Sequence, residues 1–150
     1  LHYSEPMEPC SFPIADFYAR GTRLNEVEAF GNLDYAGGGV VAPTEDLLTF
    51  MKALVSHQLV SEGTLQTMTA DRNRFTMGIQ YGYGTWHLTP VPLLMPKRYA
   101  SWGVAGATGA FMFYHPEMDA YFIGSFNDFS YKRKVIQFMG KTMNQLWKGK

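Results

Sequence analysis

Between Gly103 and Tyr114 the chain carries no Ser, Cys, His, Lys, Asp or Glu. The stretch reads Gly-Val-Ala-Gly-Ala-Thr-Gly-Ala-Phe-Met-Phe-Tyr, a small-residue edge running into bulky, strand-favouring side chains. Glycines inside a strand pattern mark a bend or a close approach by another molecule. A wall built from this segment would therefore offer backbone N–H and C=O groups, not reactive side chains. Reactive groups elsewhere are scattered. His2, His57, His87 and His115 lack metal-ligand spacing such as His-x-x-x-His, so neither a metal nor any other cofactor is expected. The glycine runs 37–39 and 103–109 are not followed by Gly-Lys-Ser/Thr and open no helix of a βαβ unit, which argues against a phosphate loop. No Gly-x-Ser-x-Gly elbow occurs. A Ser/His/Asp triad stays open, because such partners meet only in space.

These residues need elements to position them. Pro6, Pro9 and Pro13 make residues 1–35 irregular, with Phe12 to Tyr18 expected as a short strand and Tyr35 to Gly39 as a glycine loop. Thr44 is expected to cap a helix whose first turn holds Glu45 and Asp46, with Leu47, Leu48, Phe50, Met51, Leu54 and Val55 on its buried face. Ser61 is expected to cap a shorter helix carrying Leu65 and Met68. Strands are expected within Met77–Leu88 and over Lys97–Gly103, Ala110–Tyr114 and Ala120–Phe126, with His115 to Asp119 as a hairpin loop. A last helix should run from Ser130 to Trp147 on a stripe of Tyr131, Val135, Phe138, Met139, Thr142, Met143 and Leu146. The fold class is α+β: an antiparallel sheet with a C-terminal helix packed on it and a small helical segment. Tyr81, Tyr83 and Trp86 read as core and sheet surface, and Met51, Met68 and Met77 as core filling.

Composition narrows the function classes. Thirteen basic residues balance thirteen acidic ones, so nothing in the charge points to nucleic acid or an anionic membrane. Lys132-Arg133-Lys134 reads as a solvated helical turn. Hydrophobic residues make up 46% of the chain, enough for one domain with a core, yet no apolar run is long enough to span a membrane. One cysteine, Cys10, excludes an internal disulfide framework and leaves the compartment open.

Several segments, in order, resemble the serine β-lactamase-related family of class C β-lactamases, D-alanyl-D-alanine peptidases and related esterases. Tyr35-Ala-Gly-Gly-Gly-Val-Val-Ala-Pro-Thr-Glu-Asp-Leu-Leu48 is similar to its Ala-Gly-Gly and Glu-Asp-Leu block. Leu59-Val-Ser-Glu-Gly-Thr-Leu65 is similar to Leu-Leu-Ser-Pro-Glu-Thr-Leu, and Tyr81-Gly-Tyr-Gly-Thr-Trp86 to Tyr-Gly-Leu-Gly-Trp. Gly103-Val-Ala-Gly-Ala-Thr-Gly-Ala-Phe111 resembles Gly-His-Ser-Gly-Ala-Thr-Gly-Gly-Phe, with His115-Pro-Glu following where Asp-Pro-Glu usually stands.

That resemblance implies acyl transfer through an acyl-serine. The family uses a Ser-x-x-Lys nucleophile, a Tyr-x-Asn or Ser-x-Asn element and a Lys/His-Ser/Thr-Gly strand. No serine here has lysine three residues on, and no Tyr-x-Asn occurs. Thr49-Phe-Met-Lys52 imitates the first motif inside an amphipathic helix and reads as structural. Ser125-Phe-Asn127 matches Ser-x-Asn only in the wrong chain order. The third motif maps onto Val104, Ala105 and Gly106 as the substrate-binding strand, with the Ala107 N–H as the oxyanion donor.

Residues 1–150 are thus expected to be the C-terminal part of such a domain, inactive alone, with nucleophile and base on a segment before Leu1. The implied partner is a small ester, amide or β-lactam-like molecule, and dimerisation or pairing with the N-terminal half is expected to cover an exposed sheet edge. Val104 and Ala105, standing where basic and hydroxyl side chains belong, also admit a non-catalytic binding module or pseudoenzyme. An unrelated α+β domain is the third reading.

Overall fold

Alternation along Ala110-Phe-Met-Phe-Tyr-His115 sets the architecture: Phe111, Phe113 and His115 are buried on one face, while Ala110, Met112 and Tyr114 are half-buried on the other. A strand covered on both sides must be central to a layered structure. A computed structural model of the chain describes residues 13–25 and 40–149. Its main sheet has six antiparallel strands in chain order: β3 (Asn73–Thr76), β4 (Ile79–Tyr81), β5 (Trp86–Leu88), β6 (Ser101–Ala105), β7 (Ala110–His115) and β8 (Ala120–Ser125). A separate hairpin pairs β1 (Tyr18–Ala19) with β2 (Thr22–Arg23). Its turn, Arg20-Gly21, holds both φ angles positive, as tight hairpins require.

Three helices complete the described fold: α1 (Thr44–Val55), α2 (Glu62–Ala70) and α3 (Lys132–Lys148). Val135, Met139 and Met143 recur every fourth residue on α3 and bury against Leu88, Phe111, Phe113 and Phe122. The opposite face of β7 and β8 meets α1, whose Met51 is buried. This is the expected α+β layering, with the C-terminal helix on the antiparallel sheet.

Ser61 caps α2 as expected, its Oγ accepting from the Thr64 N–H at 3.2 Å. Ser61→Ala should lower stability by about 1 kcal/mol, read from the urea midpoint. The other caps differ from expectation. Pro43, not Thr44, is the N-cap of α1, and Thr44 is the first helical residue, its hydroxyl donating to Glu45 Oε2. Proline provides the extended conformation that a cap needs without a side-chain bond. At the far end the Gln58 N–H donates to Ala53 O and the His57 N–H to Leu54 O, with His57 left-handed at φ 62°. That is a Schellman motif with histidine in the usual glycine place.

Other expectations shift at their edges. The strand sought over Phe12–Tyr18 forms at Tyr18–Ala19, where the Tyr18 N–H reaches Asn127 O. Lys97–Tyr99 is a 3-10 turn, and strand begins only at Ser101. Pro96 opens that turn, and the Tyr99 and Ala100 N–H groups close it onto Pro96 O and Lys97 O. The last helix starts at Lys132 after a 3-10 turn over Phe129–Tyr131, because Asp128 Oδ1 holds the Ser130 N–H and hydroxyl. Met77 is 58% exposed at a turn and does not fill the core. The Tyr35–Gly39 loop, His2 and Cys10 lie outside the described residues.

Candidate functional site

Val104 and Ala105, expected to form the substrate-binding strand, close β6, and Gly106 follows directly. On one side β6 pairs with β7 from Trp102↔Tyr114 to Ala105↔Phe111. On the other, its pairing with β5 stops at Trp86↔Gly103. Beyond Trp86 the chain leaves in a tight turn, with the Gly82 N–H bonded to Thr85 O. Among the described residues, Val104 and Ala105 are therefore paired on the β7 side alone. Gly106 directs both backbone groups to β7: its N–H donates to Ala110 O at 2.7 Å and its C=O accepts from Gly109 N–H. Because backbone direction alternates along a strand, the N–H and C=O of Ala105 point toward the unpaired edge. Ala107 follows, exposed, and its N–H has no hydrogen-bond partner among the described residues.

The side chains divide between the two faces. Val104 lies opposite Met112, on the same face as Trp102 and on the side of the sheet that α1 meets; Trp102 lines a hollow together with residues of α2. Ala105 lies opposite Phe111 and packs against the core. Gly103 is tighter still: a Cβ there would stand 2.0 Å from Met112 O. Its smallness serves the close approach of β7, not of a ligand. A Cβ at Gly106 would meet nothing nearer than Ala110 Cβ at 3.6 Å, an ordinary contact. Gly109, at φ 79°, turns the hairpin.

Cross-strand register places His87, Trp102, Tyr114 and Tyr121 in one row on Val104's face. Trp102 meets Tyr114 edge-on at 5.9 Å, and Tyr114 lies 5.0 Å from Tyr121. A hollow of about 150 Å³ opens between α2 and this row, lined by His57, Glu62, Leu65, Gln66, Thr69 and Trp102. Burial, then the Asp119 carboxylate accepting its hydroxyl at 3.1 Å, raises the Tyr114 phenol above its ordinary value.

His87 is buried in the same row and carries a relay that the sequence did not reveal. The Thr85 hydroxyl donates to Met68 O at 3.0 Å, so its oxygen accepts from His87 Nε2–H at 3.0 Å. Nδ1 then faces Arg72 Nη1 at 3.4 Å and must be the acceptor, since a guanidinium only donates. The ring is neutral, and burial followed by the Arg72 charge lowers its pKa to about 4. The one sequence signal was Thr-x-His, a spacing that puts both side chains on one strand face.

The remaining candidates resolve structurally. His115 is fully buried, its Nδ1 accepting from the Met118 N–H and its Nε2–H donating to Arg98 O at 2.8 Å. Thr49 Oγ1 bonds back to Glu45 O within α1. Ser125 Oγ accepts from the Asn127 N–H, closing a local turn. Trp86 packs with Phe75 and Tyr81 on the opposite sheet face, around a second hollow of about 370 Å³ that Asn73 and Arg74 complete. Tyr83 stands apart, its hydroxyl donating to Asp71. Among the described residues, no group of three His, Cys, Asp or Glu could hold a metal ion, and no helix is long and apolar enough to cross a membrane.

A half-paired strand, an exposed backbone donor and a covering pair of helices occur here together. A family model described as Beta-lactamase matches residues 6–137. The chain belongs to the Beta-lactamase family. The match runs through α1, α2 and the β6–β7 hairpin, so the end of β6 and Gly106 beyond it are part of a domain related to serine hydrolases. No curated protein and no solved structure matches the chain significantly.

Proposed function

We propose that this chain is the C-terminal part of a serine hydrolase domain and forms one wall of its acyl-transfer cleft. The observation that carries this reading is the exposed Ala107 N–H, which has no partner among the described residues, beside the half-paired end of β6. Of Val104, Ala105 and Gly106, it is Ala105 whose N–H and C=O would take an extended substrate along that open edge, with Val104 and Gly106 holding the strand end against β7. The serine hydroxyl, supplied by a segment outside this chain, attacks the carbonyl carbon of an ester, amide or β-lactam-like substrate. Its proton passes to a base on the same segment. The carbonyl oxygen gains the electron pair, and the Ala107 N–H donates to that oxyanion. Collapse re-forms the carbonyl and breaks its bond to the leaving group, which takes the proton back from the base. Water, giving a proton to the same base, then attacks the acyl carbon, and that proton returns to the serine oxygen as the acid is released.

The chain alone should not turn over a chromogenic β-lactam or p-nitrophenyl esters. Adding the segment with Ser-x-x-Lys and Tyr-x-Asn should produce turnover with an acylation burst. Serine-dependent bursts from the chain alone would overturn the reading. The residues at positions 104 and 105 favour one second reading, a binding module without chemistry, because valine and alanine offer a substrate carboxylate nothing to pair with. Coding sequence upstream of Leu1 separates the two: both motifs there favour the enzyme, and their absence favours the module.

A further inference from the structure

The loop joining β5 to β6 is built in an unusual way. Pro90-Val-Pro-Leu-Leu-Met-Pro96 closes on itself: the Val91 N–H donates to Met95 O at 2.9 Å, and Met95 N–H returns to Val91 O at 2.8 Å. The Leu94 N–H also reaches Val91 O, which makes Val91–Leu94 a β-turn with Pro92 second and Leu93 third. Leu93 has φ 66°. That pattern is a type II turn, and its third position belongs to glycine or asparagine. Here a leucine holds it, with its side chain 107% exposed and Leu94 67% exposed beside it. Left-handed backbone is unfavourable for a bulky residue, and burial gives nothing back at this site. The hydrogen-bonded turn holds this conformation and keeps an apolar side chain standing in solvent.

A second loop joins it. A Cβ on Gly78 would meet Met95 Cε at 3.1 Å and Val91 Cγ2 at 3.4 Å, so the Met77–Gly78 turn lies against the base of the tip. Met77, Leu93 and Leu94 thus project from one end of the sheet, the end opposite Val104–Gly109. The tip is exposed and braced by two mutual backbone bonds and three prolines. Lys97 stands exposed just behind it. Arg98 is held by Asn144, and Glu117 and Asp119 in the neighbouring β7–β8 turn offset these cations.

We propose that this tip inserts into the surface of a phospholipid bilayer and anchors the protein there peripherally. A bilayer needs no shape-matched groove, and it accepts rigid apolar side chains that enter together from one end of a fold. With acidic and basic groups nearly balanced, insertion of Leu93, Leu94 and Met77 is the driving term, and Lys97 adds a contact to lipid phosphates.

Flotation of the full chain with phosphatidylcholine vesicles, with and without phosphatidylglycerol, tests this. The protein should float with both, with little preference between them. The double variant Leu93→Gly, Leu94→Ser should bind about tenfold less or weaker. Its thermal midpoint should hold or rise, because glycine suits the left-handed position. A parent protein that stays with the soluble fraction would overturn the proposal, as would a double variant that floats equally well. Light scattering that finds a dimer lost in the variant, without flotation of the parent, would reassign the tip to self-contact and overturn it too.

Discussion

Gly103→Ala is expected to lower stability by about 3 kcal/mol or more, and to unfold the protein at moderate urea. The added methyl carbon would lie 2.0 Å from Met112 O and 2.6 Å from Phe113 Cα. Both are backbone atoms of β7, so no flexible side chain can move aside. Relief requires β6 and β7 to separate beneath Phe113, the largest of the fully buried side chains. Such a shift opens the layer that α3 covers. Gly106→Ala, three residues on, is the matched control. Its new methyl group meets Ala110 Cβ at an ordinary 3.6 Å, and the change should stay within about 0.5 kcal/mol. Equal urea midpoints for the two variants would show that the close approach at Gly103 is not what holds the hairpin.

The second large effect is acid lability through His87. Its folded pKa of about 4 lies below the ordinary 6.5, so between those values the unfolded chain binds the extra proton and the native one does not. The contribution is therefore complete above pH 6.5 and is lost as pH falls toward 4. With Arg72 open to solvent, the loss is about 1–2 kcal/mol, less than the full shift would give. Protonation places an Nδ1–H against a guanidinium that can only donate, and the two like charges repel. His87→Gln keeps an N–H for Thr85 and an oxygen for Arg72 but cannot titrate. Urea midpoints measured from pH 7 to 4.5 should fall less steeply in this variant than in the parent. Parallel slopes would remove His87 as the source. Asp128 acts in a lower window, because the Ser130 hydroxyl and N–H bonds hold its carboxyl below the usual value.

Periodicity made the helical parts legible. The α3 stripe follows from apolar residues every third or fourth place, and Val135, Met139 and Met143 bury accordingly. The cap at Ser61 is local chemistry and was visible for the same reason. Thr44 misled because proline can fill the cap position by backbone conformation alone. Gly103 was readable as a close approach, but the approaching partner is β7, and only the fold could show that. The Arg72–His87–Thr85 relay spans fifteen residues from Arg72 to His87, so the Thr-x-His spacing could show only its short arm and not the arginine. Leu93 was equally hidden, since Pro-Leu-Leu lacks the glycine that advertises a left-handed turn. At the candidate site, Val104 to Ala107 could be located by resemblance. The division of Val104 and Ala105 between opposite faces needed the register.

The strand order has a kinetic consequence. Every strand of the six-membered sheet pairs with its neighbour in sequence, so no pairing waits for a distant segment to return. Loop-closure entropy is small at each step, and the ladder can grow by hairpin addition from the β7–β8 pair outward. The edge that carries Ala105 and Ala107 is then formed as soon as β6 joins β7.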